Sequence, residues 1–263
     1  MNIIVCIKQV PETQDVRLDP ETFTIRREGV KSIINPFDLY ALEEGLRIRE
    51  ARGGKVTLLT MGPPQAEEAL REALGYGADA AVLISDRAFA GADTWATALT
   101  LAKAIEKLGG ADLIFTGKQA IDGDTAQVGP MLATILTIPY VAWARKLTFG
   151  GDRTLEVERL LDHGYDAVAV ELPVVISVVK EINEPRVPSF KAKLKAKKEV
   201  IPKWGLQDLG LPPEQVGLAG SFTQVVKVFP PPPRGESEVW EGPAEELAPR
   251  LWARLKALGL RTG

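Results

Sequence analysis

The stretch Asp112-Leu113-Ile114-Phe115-Thr116-Gly117-Lys118-Gln119-Ala120-Ile121-Asp122-Gly123-Asp124 decides how this chain is built. It begins with the apolar run of a buried strand at 112–116, opens into a loop with two glycines, and leads into a helix that ends near Leu136. The same alternation precedes it, because apolar runs at 3–7, 56–60 and 80–84 are each followed by a helical pattern. Strands joined by helices lie parallel, so the pattern predicts an α/β fold with a mostly parallel sheet and helices on both faces.

The ends of the helices and the later strands refine this prediction. Asn35-Pro36 indicates a helix start, because Asn accepts hydrogen bonds from first-turn amides and Pro suits the first helical position. Gly53-Gly54 ends that helix, and Asp93 caps another that runs to about Leu108. After Pro139 the strands have short connections, and we expect them to extend the same sheet, some of them antiparallel. These strands are predicted at 142–144, 154–160, 167–172 and 174–179.

Residues 1 to about 200 are predicted to form one compact domain, and residues 201–263 an extended C-terminal arm. The arm contains a polyproline segment at 230–233 and an amphipathic helix that we expect to begin near Pro249. Its scattered aromatic residues would need a partner surface to cover them. Within the first domain, a small hairpin is expected at 23–26.

The composition excludes several classes of function. A formal net charge of −3 argues against non-specific nucleic-acid binding, which needs a basic surface. No apolar run approaches the roughly 20 residues of a membrane span, and the first residues do not resemble a signal peptide, so we expect a bacterial cytoplasmic protein. The single cysteine, Cys6, excludes an internal disulfide and is expected to be a buried thiol; the single histidine, His163, excludes a multi-histidine metal site.

Candidate binding residues stand where ligands of parallel sheets bind, beyond the carboxyl ends of the strands. Four segments lie there: Cys6–Lys8, Asn35–Asp38, Met61-Gly62 and Gly117–Val128. In the last segment, we expect unpaired backbone amides at residues 124–126, at a helix N-terminus suited to a phosphate. An ordinary capped turn explains the same residues equally well.

Catalytic motifs are missing from the sequence. It has no phosphate loop, no dinucleotide fingerprint and no nucleophile elbow. The pair Asp122 and Asp124 could hold Mg²⁺ or act as acid and base, although capping and solvation are favoured. We therefore expect a nucleotide to bind without being turned over.

A lysine-rich segment at 191–198 has five lysines in eight residues. A solvated edge of the domain is the favoured interpretation. The alternative is an interaction loop, in which positive charge steers an acidic partner and Phe190 fills a pocket on it.

Four segments together resemble one known family, the electron transfer flavoprotein β subunit. The run Gly-Lys-Gln-Ala-Ile-Asp-Gly-Asp-Thr-Ala-Gln-Val-Gly at 117–129 is similar to the signature loop of that family. Asn35-Pro36-Phe37, Gly62-Pro63 and Asn183-Glu184-Pro185-Arg186 match it as well, in the same order and spacing over residues 1 to about 200. The C-terminal arm matches only in general character.

The resemblance implies an adenine-nucleotide-binding, Rossmann-like fold and a heterodimer with an α subunit, on which the 201–263 arm packs. Such a pair carries electrons, for example in fatty acid oxidation, from acyl-CoA and other flavin dehydrogenases to a membrane quinone oxidoreductase, and the chain itself is no enzyme. FAD is held mainly by the α subunit, and the β subunit holds a structural AMP. The positions implied for AMP are Cys6, Asn35, Pro36, Phe37, Asp38, Met61, Gly117, Lys118, Gln119, Ala120, Ile121, Asp122, Gly123, Asp124, Thr125, Ala126, Gln127 and Val128.

The resemblance also implies a recognition loop at 183–198 that docks the dehydrogenase. Phe190 stands where the family usually has Leu, and Arg186, Lys195 and Lys198 belong to the same docking surface. Lys195 and Lys198 fall at lysines that are methylated in some relatives. Two alternatives remain on a similar fold: a nucleotide hydrolase, and a nucleotide-sensing stress or regulatory homodimer.

Overall fold

The structure, a computed structural model, describes residues 1–12, 32–227, 229 and 237–259. The chain divides into two units, Met1–Val226 and Lys227–Gly263. The hairpin predicted at 23–26 and the polyproline segment predicted at 230–233 lie outside the described residues. The strands are β1 (Asn2–Cys6), β2 (Gln9–Pro11), β3 (Ser32–Ile34), β4 (Lys55–Met61), β5 (Ala80–Ile84), β6 (Leu113–Gly117), β7 (Tyr140–Phe149), β8 (Thr154–Leu161), β9 (Gly164–Glu171), β10 (Val174–Val178) and β11 (Lys203–Trp204). The helices are α1 (Pro36–Arg52), α2 (Glu67–Leu74), α3 (Thr94–Lys107), α4 (Val128–Leu136), α5 (Phe190–Ala196), α6 (Leu206–Leu209) and α7 (Ala244–Ala257).

Nine strands form one sheet in the order β11-β5-β4-β1-β6-β10-β7-β8-β9. All neighbouring strands from β11 to β7 run parallel, and β8 and β9 continue the sheet antiparallel. The remaining two strands, β2 and β3, pair with each other in a separate antiparallel ribbon. The predicted parallel sheet with an antiparallel extension is confirmed.

Strand β1 shows why the central strands have continuous apolar sequences. Successive side chains of a strand point to opposite faces. Ile3 and Val5 therefore lie in the core formed with α1, α2 and α5, whereas Ile4 and Cys6 lie in the core formed with α3, α4 and α6. Helices cover both faces of the sheet, as predicted.

The first unit extends further along the chain than the predicted boundary near residue 200. Strand β11 pairs with β5, with Lys203 opposite Leu83, and this adds a ninth strand to the sheet. Leu209, Leu211 and Val216 are buried in the core on the α3 side. These contacts are the physical reason why residues 201–226 belong with the first unit.

The second unit contains α7, which begins five residues before the predicted start at Pro249. Pro243 occupies the N-cap position, and its carbonyl oxygen accepts the amides of Glu246 and Leu247, both at 3.1 Å. Acidic Glu245 and Glu246 in the first turn favour the same start, since negative charge stabilises a helix N-terminus. In the described part of the chain, no helix has both the length and the apolar character that crossing a membrane demands.

Candidate functional site

The predicted binding residues converge at the point where the order of the strands reverses. Strands β4 and β5 lie on one side of β1 in the sheet, and the next strand in sequence, β6, lies on the other side of β1. Cys6, Met61 and Gly117 end β1, β4 and β6 at one edge of the sheet, and α1 and α4 begin at the same edge. Open α/β sheets bind ligands in the crevice at such a reversal.

Asn35 lies at the helix start predicted for it, in the N-cap position of α1, but its side chain does not make the predicted capping bond. Its Nδ2 instead donates to the carbonyl oxygen of Gln119 at 2.8 Å, and its Oδ1 accepts the amide of Ile121 at 3.2 Å. This buried side chain, 1% exposed, fixes the loop at 118–127 to the start of α1. We call residues 118–127 the cradle loop.

Asp38 joins two strand ends. Its Oδ2 accepts the amide of Lys8 at 2.8 Å, and its Oδ1 accepts the amide of Gly117 at 3.1 Å. Burial raises the pKa of this carboxyl to about 7, although hydrogen bonds from Asn35, Lys8 and Gly117 act in the opposite direction. Asp38 therefore carries a proton more readily than an exposed aspartate does.

Gly117 is required by the approach of α1 to the end of β6. A Cβ at this position would lie 2.7 Å from the Cβ of Phe37 and 2.8 Å from its carbonyl carbon, and closer still to Oδ1 of Asp38. Only a residue without a side chain allows the helix to come this near. Gly123, in contrast, has no heavy atom within 4 Å of the corresponding point.

The cradle loop differs from the predicted helix N-terminus. Helix α4 begins only at Val128, and the amide of Asp124 is not free, because it donates to the carbonyl oxygen of Ala120 at 2.9 Å. Asp124 and Ala126 have positive φ angles of 56° and 53°, which are unusual for residues with side chains. Across the described residues, the amides of Thr125, Ala126 and Gln127 have no protein acceptor.

This backbone is of a kind that binds anions. Ala126 is left-handed in φ and Gln127 lies in the right-handed helical region. Alternation of the two conformations turns successive amides toward one point and forms an anion-binding concavity. The position of the concavity, immediately before α4, adds the favourable end of the helix dipole.

The two aspartates of the loop are engaged within the chain. Asp122 forms an ion pair with Nζ of Lys8 at 2.7 Å, and Asp124 accepts a hydrogen bond from Nε2 of Gln119. The sequence favours capping by these carboxylates, but neither of them caps α4. Among the residues that the structure describes, no group of three or more His, Cys, Asp or Glu side chains could hold a metal ion.

A cleft of about 590 Å³ lies against these strand ends, between the β2–β3 ribbon and the turn after β4. Its lining includes Lys8, Met61, Gly62 and Asp122, which lie in the predicted binding segments, and Gln65, which lies outside them. Gln65 lies between β4 and α2, and its nearness in sequence to Met61-Gly62 was the only signal for it. Cys6 is 8% exposed, and burial raises the pKa of its thiol to about 12.

The residues predicted to dock a partner lie on α5 and in the segments before and after it. Phe190 is the first residue of this helix and is 78% exposed; Lys195 and Lys198 are exposed as well. Within the predicted loop at 183–198, residues 190–196 form a short helix, which Ser189 caps by accepting the amide of Ala192 at 3.2 Å. Arg186 is engaged elsewhere, with Glu43 and Glu50 on α1.

Taken together, the sheet and the cradle loop define an open α/β protein in which three backbone amides without an acceptor among the described residues lie at the reversal of strand order. Comparison with known proteins identifies the family. The model of the electron transfer flavoprotein domain matches residues 22–209. The electron transfer flavoprotein subunit beta of Thermoanaerobacterium thermosaccharolyticum is 52% identical over 258 residues, which cover 98% of each chain.

Two further relatives have other names. The caffeyl-CoA reductase-Etf complex subunit CarD of Acetobacterium woodii is 47% identical over 258 residues, 97% of this chain and 98% of the relative. Protein FixA of Bradyrhizobium diazoefficiens is 48% identical over 259 residues, 95% of this chain and 90% of the relative. The chain belongs to the electron transfer flavoprotein family, as a β subunit. It is a subunit of an electron carrier and not an enzyme.

Proposed function

We propose that this chain holds AMP in the cradle and pairs with an electron transfer flavoprotein α subunit that holds FAD. The pair would accept electrons from acyl-CoA and other flavin dehydrogenases and pass them to a membrane quinone oxidoreductase. The single observation that carries the nucleotide assignment is the set of three unpartnered amides at 125–127, in a stretch where Asp124 and Ala126 have strained, positive φ angles. Strain of this kind concentrates at ligand sites.

The polar groups of the cradle fit a nucleotide phosphate. The phosphate would accept the amides of Thr125, Ala126 and Gln127, which have no acceptor among the described residues. Asp122 and Asp124 would otherwise repel it, but Lys8 neutralises the first and Gln119 donates to the second. Cys6, Asn35–Asp38 and Met61 would line the adenosine side of the same edge.

The rigidity of the cradle supports a structural role for the nucleotide. Asn35 and Asp38 tie the cradle loop, β1 and β6 to the start of α1 through four hydrogen bonds that connect residues distant in sequence. A ligand that binds only this folded arrangement stabilises it by mass action. Redox chemistry would come from the FAD of the α subunit, and the present chain would supply the surface that closes one side of it.

Exposed apolar residues support the expectation of a partner chain. In the first unit, Leu218, Phe222, Val225 and Val226 are between 50% and 95% exposed. In the second unit, Trp240, Leu247 and Leu251 line a separate groove of about 630 Å³. Apolar patches of this kind mark protein interfaces, and an α subunit is the partner that the family provides.

The dehydrogenase would dock at α5. The exposed ring of Phe190 would fill a pocket on the partner, and the exposed lysines around it, Lys195 and Lys198 among them, would attract an acidic surface. One apolar anchor with a charged surround gives fast association and short residence, which an electron carrier needs. The name of the A. woodii relative, which places it in a complex with a CoA-thioester reductase, supports a partner of that class.

Co-expression with the α subunit from the same source tests the cofactor assignment. We expect a yellow heterodimer, and acid release should give equimolar AMP and FAD, identified by mass spectrometry. Failure of the two chains to co-purify would overturn the heterodimer. A complex that releases a second flavin in place of AMP would overturn the AMP assignment and leave the heterodimer standing.

Replacement of Phe190 by Ala tests the docking assignment. We expect slower electron transfer from the dehydrogenase, with the AMP and FAD contents unchanged. Tyr165→Ala is the matched control, because Tyr165 is also an exposed aromatic residue (54%) but lies on β9 at the other end of the sheet. Equal rates for the Phe190→Ala variant and the parent would show that the anchor lies elsewhere.

A further inference from the structure

The segment before α5 is fastened to α1 by several side chains. Nδ2 of Asn183 donates to the carbonyl oxygen of Tyr40 and to Oε2 of Glu44, both at 3.0 Å. From the other side, Nη2 of Arg47 on α1 donates to the carbonyl oxygen of Glu184 at 3.3 Å. Residues 183 and 184 therefore follow the surface of α1.

Arg186 makes the strongest of these attachments. Its backbone amide and Nε donate to Oε2 of Glu43 at 3.1 and 2.8 Å, and its Nη2 donates to Oε1 of Glu43 at 3.2 Å. Its Nη1 and Nη2 donate to the two carboxylate oxygens of Glu50 at 2.5 and 3.0 Å. One guanidinium thus binds two carboxylates about two turns apart on α1, and we call this arrangement the α1 clamp.

The electrostatics of the α1 clamp favour its charged form. Glu43 is only 3% exposed, so its carboxylate needs close positive partners. Burial acts to raise its pKa, but hydrogen bonds from Arg186 and Arg47 hold the pKa of Glu43 below its ordinary value. The hydrogen bonds that Arg186 donates to Glu50 and Glu43 raise the pKa of its guanidinium. The guanidinium of Arg186 therefore makes its hydrogen bonds to carboxylates of its own chain.

A second arginine holds the other end of α5. Nη1 of Arg71 on α2 donates to the carbonyl oxygens of Ala196, Lys197 and Glu199 at 3.0 to 3.1 Å. Its own guanidinium is held by Glu67 at 2.5 Å. In sequence, the exposed side chains of Val187 and Phe190 lie between Arg186 and Ala196, the two points of attachment. The chain is therefore attached to α1 before α5 and to α2 at the end of α5.

We infer that Arg186 is a positioning residue, which orders the segment that presents Phe190 and does not itself contact the partner. This inference rests on the proposed docking role of α5. Its physical basis is that a segment held in place before encounter loses less conformational freedom on binding. It replaces the sequence-based assignment of Arg186 to the contact surface.

Two sets of variants of the complete heterodimer distinguish a positioning role of Arg186 from a contact role. One set removes Arg186, and the other removes the charge of its partners Glu43 and Glu50. Arg186→Ala removes the guanidinium, whereas the double variant Glu43→Gln and Glu50→Gln leaves it in place and frees it. A positioning role predicts that both changes raise the KM for the heterodimer in a dehydrogenase assay by about fivefold, with kcat within about twofold. Both should also speed amide hydrogen exchange over residues 187–196.

A contact role predicts a different result. In that case the double variant would keep a normal KM, and only Arg186→Ala would raise it; this outcome would overturn the inference, as would unchanged hydrogen exchange in both. Glu50→Gln alone, at an exposed residue, provides a milder break if the double variant does not fold. Arg87→Ala is the charge-matched control, because Arg87 is exposed and lies far from α5 in sequence.

Phe190→Ala, measured in the same assay, separates this inference from the docking assignment. A raised KM for Phe190→Ala together with a normal KM for Arg186→Ala would overturn the positioning role alone. A normal KM for Phe190→Ala would overturn the docking assignment and the inference with it.

Discussion

Replacement of Gly117 by Ala tests the contact between the end of β6 and the start of α1. The new methyl group would lie 2.7 Å from the Cβ of Phe37 and nearer still to Oδ1 of Asp38, so one of the two elements must move. Overpacking of this kind costs about 1–3 kcal/mol. Movement of α1 would also lengthen the 3.1 Å bond from the Gly117 amide to Asp38, which adds about 1–2 kcal/mol.

We therefore expect Gly117→Ala to lower the free energy of unfolding by about 2–5 kcal/mol, measured by urea denaturation. The bound nucleotide recovered after acid release should fall in parallel. Gly123→Ala is the matched control, since it adds the same methyl group a few residues away in open space, and we expect it to stay within about 0.5 kcal/mol of the parent. Equal stability and equal nucleotide content in the two variants would refute the close approach.

Three further predictions concern buried groups of the site. Asn35→Ala leaves the Gln119 carbonyl and the Ile121 amide without partners, and should cost about 2–4 kcal/mol in urea unfolding, whereas a change below about 0.5 kcal/mol would contradict the bridging role. Because Asp38 binds its proton more tightly in the folded state, stability should fall as pH rises from about 4 to about 7, by up to about 1.4 kcal/mol per pH unit. Asp38→Asn should flatten that slope, measured as urea midpoints across pH; an unchanged slope would assign it to another group. Cys6 should resist maleimide labelling at pH 7.5 until urea unfolds the chain, and rapid labelling of the native protein, followed by mass spectrometry, would show that the thiol is accessible.

The parallel sheet could be predicted because its strands are buried on both faces. Two-sided burial produces uninterrupted apolar runs, and those at 3–7, 56–60, 80–84 and 112–116 differ from the observed strands by at most one residue at either end. The same observation predicts which edge of the sheet carries the candidate binding residues, because the loops after parallel strands meet at one edge.

The details that could not be predicted depend on contacts between residues far apart in sequence. Asn35 carries the local pattern of a helix cap, yet its partners Gln119 and Ile121 are more than 80 residues away. Helix α5 was missed because its lysine-rich sequence has little apolar periodicity, and its ends are stabilised by Ser189 and by Arg71 on α2. The ion pairs of Arg186 could not be predicted for the same reason, because no local pattern links it to Glu43 and Glu50.

The position of β10 has a consequence for synthesis of the chain. This strand is the last of the central parallel strands in sequence, yet it lies between β6 and β7, which precede it. A nascent chain that ends before Val174 therefore leaves β6 and β7 with bare edges that other chains can pair with. Most of the polypeptide must leave the ribosome before β10 fills this gap. We therefore expect truncated chains to aggregate, and we expect chaperones to bind the nascent chain until β10 has paired.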